Sequence, residues 1–184
     1  MIQVPDGWEI KPLKSIGTCK NGLTYSPDDI VENGGLLVLR SSNIQNSQIA
    51  LEDNVFVRED IKLNYKVQEN DILVCVRNGS KDLIGKNALI TKEVENMAHG
   101  AFMTVFRAEL PKFVFQLFKT KDYERQVNAD LCATINSING NKFIKKEVII
   151  SVKSHITCKS NTSKILFFPP SYPNIDIKIT KHIL

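Results

Sequence analysis

Apolar residues along this chain come in short, bounded runs rather than in long helical periods. Ile72-Leu73-Val74-Cys75-Val76 is flanked by polar residues and too brief for a typical helix, so it predicts a buried strand. Leu36 to Arg40 reads the same way, and Ile49 to Val57, Gly85 to Thr91, Phe102 to Ala108 and Val148 to Val152 predict further strands. Helical spacing is rarer. Trp8, Ile10, Leu13 and Ile16 suggest a short amphipathic helix interrupted by Pro12, and Glu59 to Val67 suggests another. Phe113 to Val127, following Pro111, predicts a helix with Val114, Leu117 and Phe118 toward the core. Its aromatics Phe113, Phe115, Phe118 and Tyr123 are expected in the core rather than on a base-stacking platform. The elements do not alternate regularly enough for a doubly wound sheet. The expected class is α/β of the mixed α+β kind: a single globular domain with a mixed, mostly twisted sheet and peripheral helices.

Two of the strands break abruptly into hydrogen-bond donors. After residue 76 come Arg77, Asn78, Gly79, Ser80 and Lys81, a glycine-containing loop held at the end of a rigid element. Leu36 to Leu39 runs into Arg40, Ser41, Ser42 and Asn43. A third donor-rich segment, Asn136 to Lys142, carries three asparagines, Ser137 and Gly140 between Ile135 and Phe143. Such residues also make ordinary turns. As a site they would suit an anionic, hydrogen-bonding partner, since Asn can pair bidentately with adenine while Arg and Lys favour guanine.

Composition narrows the reading. At 184 residues one domain is the default. No run approaches the roughly 20 apolar residues that span a bilayer, and no early basic-then-apolar stretch marks export, so no membrane partner and a cytoplasmic location are expected. Cys19, Cys75, Cys132 and Cys158 lie far apart with no C-x-x-C pair, which points to reduced thiols rather than a zinc cluster or disulfide scaffold. The sequons at Asn78 and Asn161 are then chance matches. The net charge of +4 is uneven: residues 1–140 hold 16 Lys and Arg against 18 Asp and Glu, and residues 141–184 hold 8 against 2. Nucleic-acid binding would therefore need a local patch on a slightly acidic body.

Gly7, Trp8 and Leu13, then Leu39, Arg40, Asn43 and Ile44, then Asn70-Asp71-Ile72-Leu73-Val74 followed by Arg77-Asn78-Gly79-Ser80 and Ile84-Gly85-Lys86, occur in an order that carries a resemblance. Over roughly residues 5 to 150 the chain resembles a target-recognition domain of the specificity subunit of type I restriction-modification systems. The resemblance implies a non-catalytic module that recognises one half of a bipartite duplex DNA target. Its partners would be DNA-methyltransferase (modification) subunits, a restriction subunit and a second specificity half. No cofactor would belong to this chain, because S-adenosylmethionine, ATP and magnesium would belong to the partner subunits. Candidate DNA contacts are Arg40, Asn43, Arg77, Asn78, Ser80, Lys81, Lys86, Asn136, Asn139 and Lys142.

Residues 1–150 would form the recognition domain. Residues 151–184 depart from the family pattern as a basic tail, expected to be an altered or truncated end. The tail has no heptads; Pro169, Pro170 and Pro173 preclude an uninterrupted helix, and Ile175, Ile177 and Ile179 alternate as in a strand. Pro169 to Tyr172 also matches a short proline-rich ligand pattern. A complete specificity subunit would resemble two such domains separated by helices, so this chain resembles one half.

Catalytic readings meet absences. The sequence contains no G-x-G-x-x-G, G-x-x-x-x-G-K or G-x-S-x-G, and His99, His155 and His182 are scattered singly, as surface or capping residues. A magnesium nuclease could draw on Asp6, Glu9 and Lys11, but too few residues separate them to form a hairpin; Asp28 with Asp60 and Lys62 is better spaced. Ser26 to Asp29 nevertheless reads as a turn. The alternative from another class is an interaction remnant that docks on methyltransferase or specificity subunits without engaging DNA.

Overall fold

A computed structural model describes residues 8–32, 34–58, 65–131, 137–138 and 140–151. Its contacts divide the chain into Lys11–Val148 and a second unit of Met1–Ile10 with Ile149–Leu184. In chain order the elements are β1 (Trp8–Pro12), β2 (Gly17–Asn21), β3 (Ile30–Val31), β4 (Leu36–Leu39), β5 (Ile44–Gln45), β6 (Gln48–Ile49), β7 (Phe56–Val57), β8 (Ile72–Cys75), β9 (Asn87–Leu89), β10 (Ala98–His99), β11 (Met103–Ala108), α1 (Pro111–Leu117), α2 (Lys121–Asp130), α3 (Gly140–Phe143) and β12 (Glu147–Ser151). The second unit is described only at residues 8–10 and 149–151, which lie in the two-stranded sheet of β1 and β12.

The class is the mixed α/β one that the pattern predicts, but the expected single sheet is divided. One four-stranded sheet, β2-β11-β8-β9, is antiparallel throughout; the other, β10-β4-β7-β3, has β10 parallel to β4 and the remaining pairs antiparallel. The apolar runs of β4 and β8 are buried at every position, as continuous rather than alternating patterns require. The β5–β6 hairpin turns through Asn46 and Ser47, at φ 51° and 60°, the two positive values of a tight primed turn.

Several elements differ from the expectation. Trp8 to Ile16 is strand β1 followed by a single 3-10 turn, because Pro12 sits where an interior N–H would be needed and its extended backbone starts that turn. Ile49 to Val57 is not one strand but the end of β6 and the whole of β7. Of Glu59 to Val67, residues 59–64 lie outside the described residues; Lys66 bridges Ala98, so this end pairs as β structure. The helix read as Phe113 to Val127 is two. Pro111 opens α1, and Thr120, in extended conformation, caps α2 by accepting from the Tyr123 N–H. A threonine hydroxyl competes well for backbone groups, and here it also donates to the Leu117 carbonyl at 2.7 Å.

The aromatics are core. Phe113, Phe115, Phe118 and Tyr123 are all buried; Phe118 stacks on Tyr123 at 4.6 Å and meets Phe106 and Phe143. His99 is fully buried rather than at the surface, its ring nitrogens 2.9 Å from the Tyr65 carbonyl and 3.2 Å from that of Lys20. Burial lowers its pKa below the usual imidazole value. Asp71, also buried, accepts two 2.7 Å hydrogen bonds from Arg107 and one from the Gln68 N–H. His155 and His182, Cys132 and Cys158, and all the tail motifs lie outside the described residues. Among the described residues no helix is long and apolar enough to cross a membrane.

Candidate nucleic-acid interface

The Arg77 loop is the connection of the β8–β9 hairpin. Cys75 and the Gly85-Lys86 pair close its base by backbone hydrogen bonds of 2.8 and 2.9 Å. The positive φ is at Gly85, 86°, and not at Gly79, so the tight turning expected of Gly79 is carried out by Gly85. Within the loop the side-chain Oδ1 of Asn78 accepts from the Ser80 N–H at 3.0 Å, a local Asx turn. Arg77, Ser80 and Lys81 are exposed. Cys75 beneath them is buried, which pushes its thiol up to about 11.

Tertiary structure brings the three donor-rich segments together. The Asn78 amide donates to the Ser41 hydroxyl, tying the Arg77 loop to the turn that follows β4. Arg77 forms a bridge with Ser137, and the Ile138 N–H donates to the Val76 carbonyl at 2.7 Å, which brings the third segment alongside. Lys86 reaches Gln45 on the β5–β6 hairpin at 3.4 Å. The β10–β11 turn joins the first two segments: Gly100 donates to the Leu39 carbonyl, while the Phe102 carbonyl accepts from both Val76 and Arg77. A close approach makes this possible, since a Cβ on Gly22 would lie 1.9 Å from the Gly100 oxygen.

The candidates differ in availability. Among the described residues the guanidinium of Arg77 has no hydrogen-bond or ion-pair partner and lies 5.7 Å from the centroid of the exposed Phe102 ring. Arg40 is half-buried and engaged: one terminal nitrogen donates to the Asp53 carboxylate at 2.9 Å, and its buried Nε is unpartnered, as is the Ser42 hydroxyl. Asn43 is engaged within its own turn. Its side chain is fully buried, its oxygen accepts from the Arg40 N–H, and its nitrogen faces Ala50, Asp53 and Asn54, so it builds the turn. Lys142 is exposed at the end of the third segment, where Gly140–Phe143 is a helical turn rather than a plain glycine loop. Asn136 and Asn139 lie outside the described residues.

Beside the loop is an open groove of about 660 Å³ in which Lys81, Lys86 and Lys119 are offset by Asp82 and Glu124. The cations are therefore local and interspersed with acids, as the slightly acidic body implies. Of the nuclease candidates, Asp28 lies in a 3-10 turn closed by Ser26 and Asp29, as expected of a turn; Asp6, Asp60 and Lys62 are outside the described residues. Among the described residues no group of three His, Cys, Asp or Glu side chains is placed to hold a metal.

Two further residues belong to this cluster beyond the sequence candidates: Ser41, which accepts from Asn78, and Phe102, whose ring lies beside Arg77. An aromatic two residues after a glycine at a strand entry was the available signal for Phe102, but its exposure was not legible.

The protein is a mixed α/β domain with donor-bearing loops gathered at strand ends, and comparisons with known proteins agree with this fold. No family model matches the chain. It is similar to the specificity subunit of the type I restriction enzyme EcoKI of Escherichia coli K12, 30% identical over 149 residues, covering 77% of this chain and 32% of the relative. It is also similar to that of StySPI from Salmonella potsdam, 28% identical over the same length and coverage. The chain thus spans about a third of the length of these relatives. Its fold is similar to the HsdS subunit from Thermoanaerobacter tengcongensis, with a TM-score of 0.61 at 12% identity over 82% of this chain and 39% of that one. An S subunit from M. genitalium gives 0.54 at 15% identity, over 82% and 37%. Over 149 residues the chain is thus similar to the specificity subunits of type I restriction enzymes, and its fold is similar to that of HsdS subunits.

Proposed function

We propose that this domain binds duplex DNA and reads one half of a split target for a type I restriction-modification complex. The observation that supports it most is the convergence of three donor-rich segments, with Arg77 exposed and unpaired among the described residues at their centre. A guanidinium can pair bidentately with guanine in the major groove. Ser80, Lys81, Lys86 and Lys142 would supply polar and phosphate contacts, and Arg40 would be released from Asp53 when DNA arrives. The domain performs no chemistry of its own. Methyltransferase subunits would supply S-adenosylmethionine, a restriction subunit would use ATP and magnesium, a second specificity half would read the rest of the target, and the assembly would work in the cytoplasm.

The test is binding of the purified chain to a randomised duplex pool, alone and with a methyltransferase partner. Arg77→Ala should weaken the preferred site by about 1–3 kcal/mol and relax one base position. Lys81→Ala and Lys86→Ala should weaken all sequences alike and reduce the salt dependence by roughly one counterion each. Folded Arg77→Ala, Asn78→Ala and Lys81→Ala proteins that keep full affinity and specificity in the assembled state would exclude this face. The same samples, given magnesium and S-adenosylmethionine but no partner, should neither cleave nor methylate DNA.

A further inference from the structure

Phe102 is 55% exposed, in a molecule whose other phenylalanines on α1 and β11 are buried. Nothing in the hydrophobic pattern requires an exposed ring here. Its position is nevertheless closely specified. The consecutive N–H groups of Val76 and Arg77 donate to its carbonyl at 3.0 and 3.1 Å, and Met103 donates to the Gly100 carbonyl at 2.8 Å, so the turn that carries the ring is pinned to the end of β8. The same turn is held to the end of β4 through Gly100 and Leu39. The turn that carries the ring is therefore held to both donor-bearing strand ends, and the Arg77 guanidinium lies 5.7 Å from the ring centroid.

Two physical consequences follow. An aromatic ring beside a guanidinium restricts a long, rotamer-rich side chain through a cation–π contact, which lowers the ordering cost of a bidentate hydrogen bond to a base. The exposed ring also presents apolar area beside Arg77, and the apolar feature in the major groove is the C5-methyl of thymine.

We infer that Phe102 is a specificity-determining residue, whose ring holds Arg77 in place and contacts the methyl group of a thymine next to the base pair that Arg77 reads. This rests on the DNA-reading function proposed above. A base pair is thus read by Arg77, and its neighbour by Phe102, which no donor on the loop would distinguish by that methyl.

The experiment uses the full chain with a methyltransferase partner and the duplex selected from the randomised pool. Each thymine is replaced in turn by uracil, which removes only the methyl group. The wild type should lose about fourfold in affinity at one position, the loss corresponding to one buried methyl group. Phe102→Ala should bind more weakly and lose this discrimination, while Phe102→Leu, which keeps apolar bulk, should retain part of it. If no uracil affects the wild type, or if Phe102→Ala discriminates as the wild type does while Arg77→Ala has lost its base preference, the role of Phe102 is overturned and the DNA-reading face stands. If Phe102→Ala loses only its association with the methyltransferase, the ring is a protein contact and the inference is equally overturned. If Arg77→Ala and Phe102→Ala both bind as the wild type does, the face itself is wrong.

Discussion

The side-chain amide of Asn78 donates to the hydroxyl of Ser41 across 3.0 Å, joining two strand-end turns that are 37 positions apart in the chain. Because Asn78 also accepts from Ser80, one side chain shapes its own loop and couples it to the next. Asn78→Ala and Ser41→Ala should each cost about 1 kcal/mol, Asn78→Ala the more, and the double variant should cost less than their sum. Denaturant unfolding of the four proteins in a double-mutant cycle measures this. Additive costs would show that the two turns are not coupled through this bond.

Asn43 should behave as a structural residue. With its oxygen bonded to the Arg40 N–H and its nitrogen facing three oxygen acceptors, Asn43→Ala should cost about 1–3 kcal/mol, the range for leaving buried polar groups unsatisfied. Asn43→Asp should be worse, because it sets a carboxylate oxygen against acceptors. Thermal melting decides the order; unchanged melting of Asn43→Ala together with weaker DNA binding would return Asn43 to the contact set.

The Asp71–Arg107 pair is asymmetric, with Asp71 only 2% and Arg107 30% exposed. Arg107→Ala strands a buried carboxylate at the entrance of β8 and should destabilise by about 3–5 kcal/mol. Replacing both by apolar residues, Asp71→Leu with Arg107→Met, should recover a good part of that loss. A double variant as unstable as Arg107→Ala would contradict this account.

His99 sets a pH dependence. Burial holds its folded pKa below the ordinary value of 6.5, opposed by the two carbonyls and by Asp71 and reinforced by Lys20. The unfolded chain therefore takes up a proton that the folded chain refuses, so stability falls as pH drops through about 6.5 and is intact above it. Melting at pH 7.5, 6.5 and 5.5 should show a larger decline for the wild type than for His99→Gln. Parallel declines would mean that His99 is protonated in the fold, bonded to both carbonyls.

The local pattern of the chain was sufficient for β4 and β8, because four consecutive apolar residues between polar flanks have few alternatives to a strand buried on both faces. It also placed the aromatics of Phe113 to Tyr123 in the core, and the donor-rich loops at strand ends. Short strands such as β3, β5 and β10 left no period to read, since two residues cannot display one.

What only the tertiary structure decided is which donors are available. Arg40 and Arg77 follow similar apolar runs, yet one is engaged by Asp53, which lies 13 residues away, and the other stands beside a ring reached through the β10–β11 turn. Asn43 and Asn78 are equally plausible in a list of residue types, but one is buried in its own turn and the other bridges to Ser41. Hydrophobic pattern is a property of neighbouring positions and can be read along the chain. Exposure and partnership depend on which distant backbone groups arrive alongside, and that is settled only when the sheets pack.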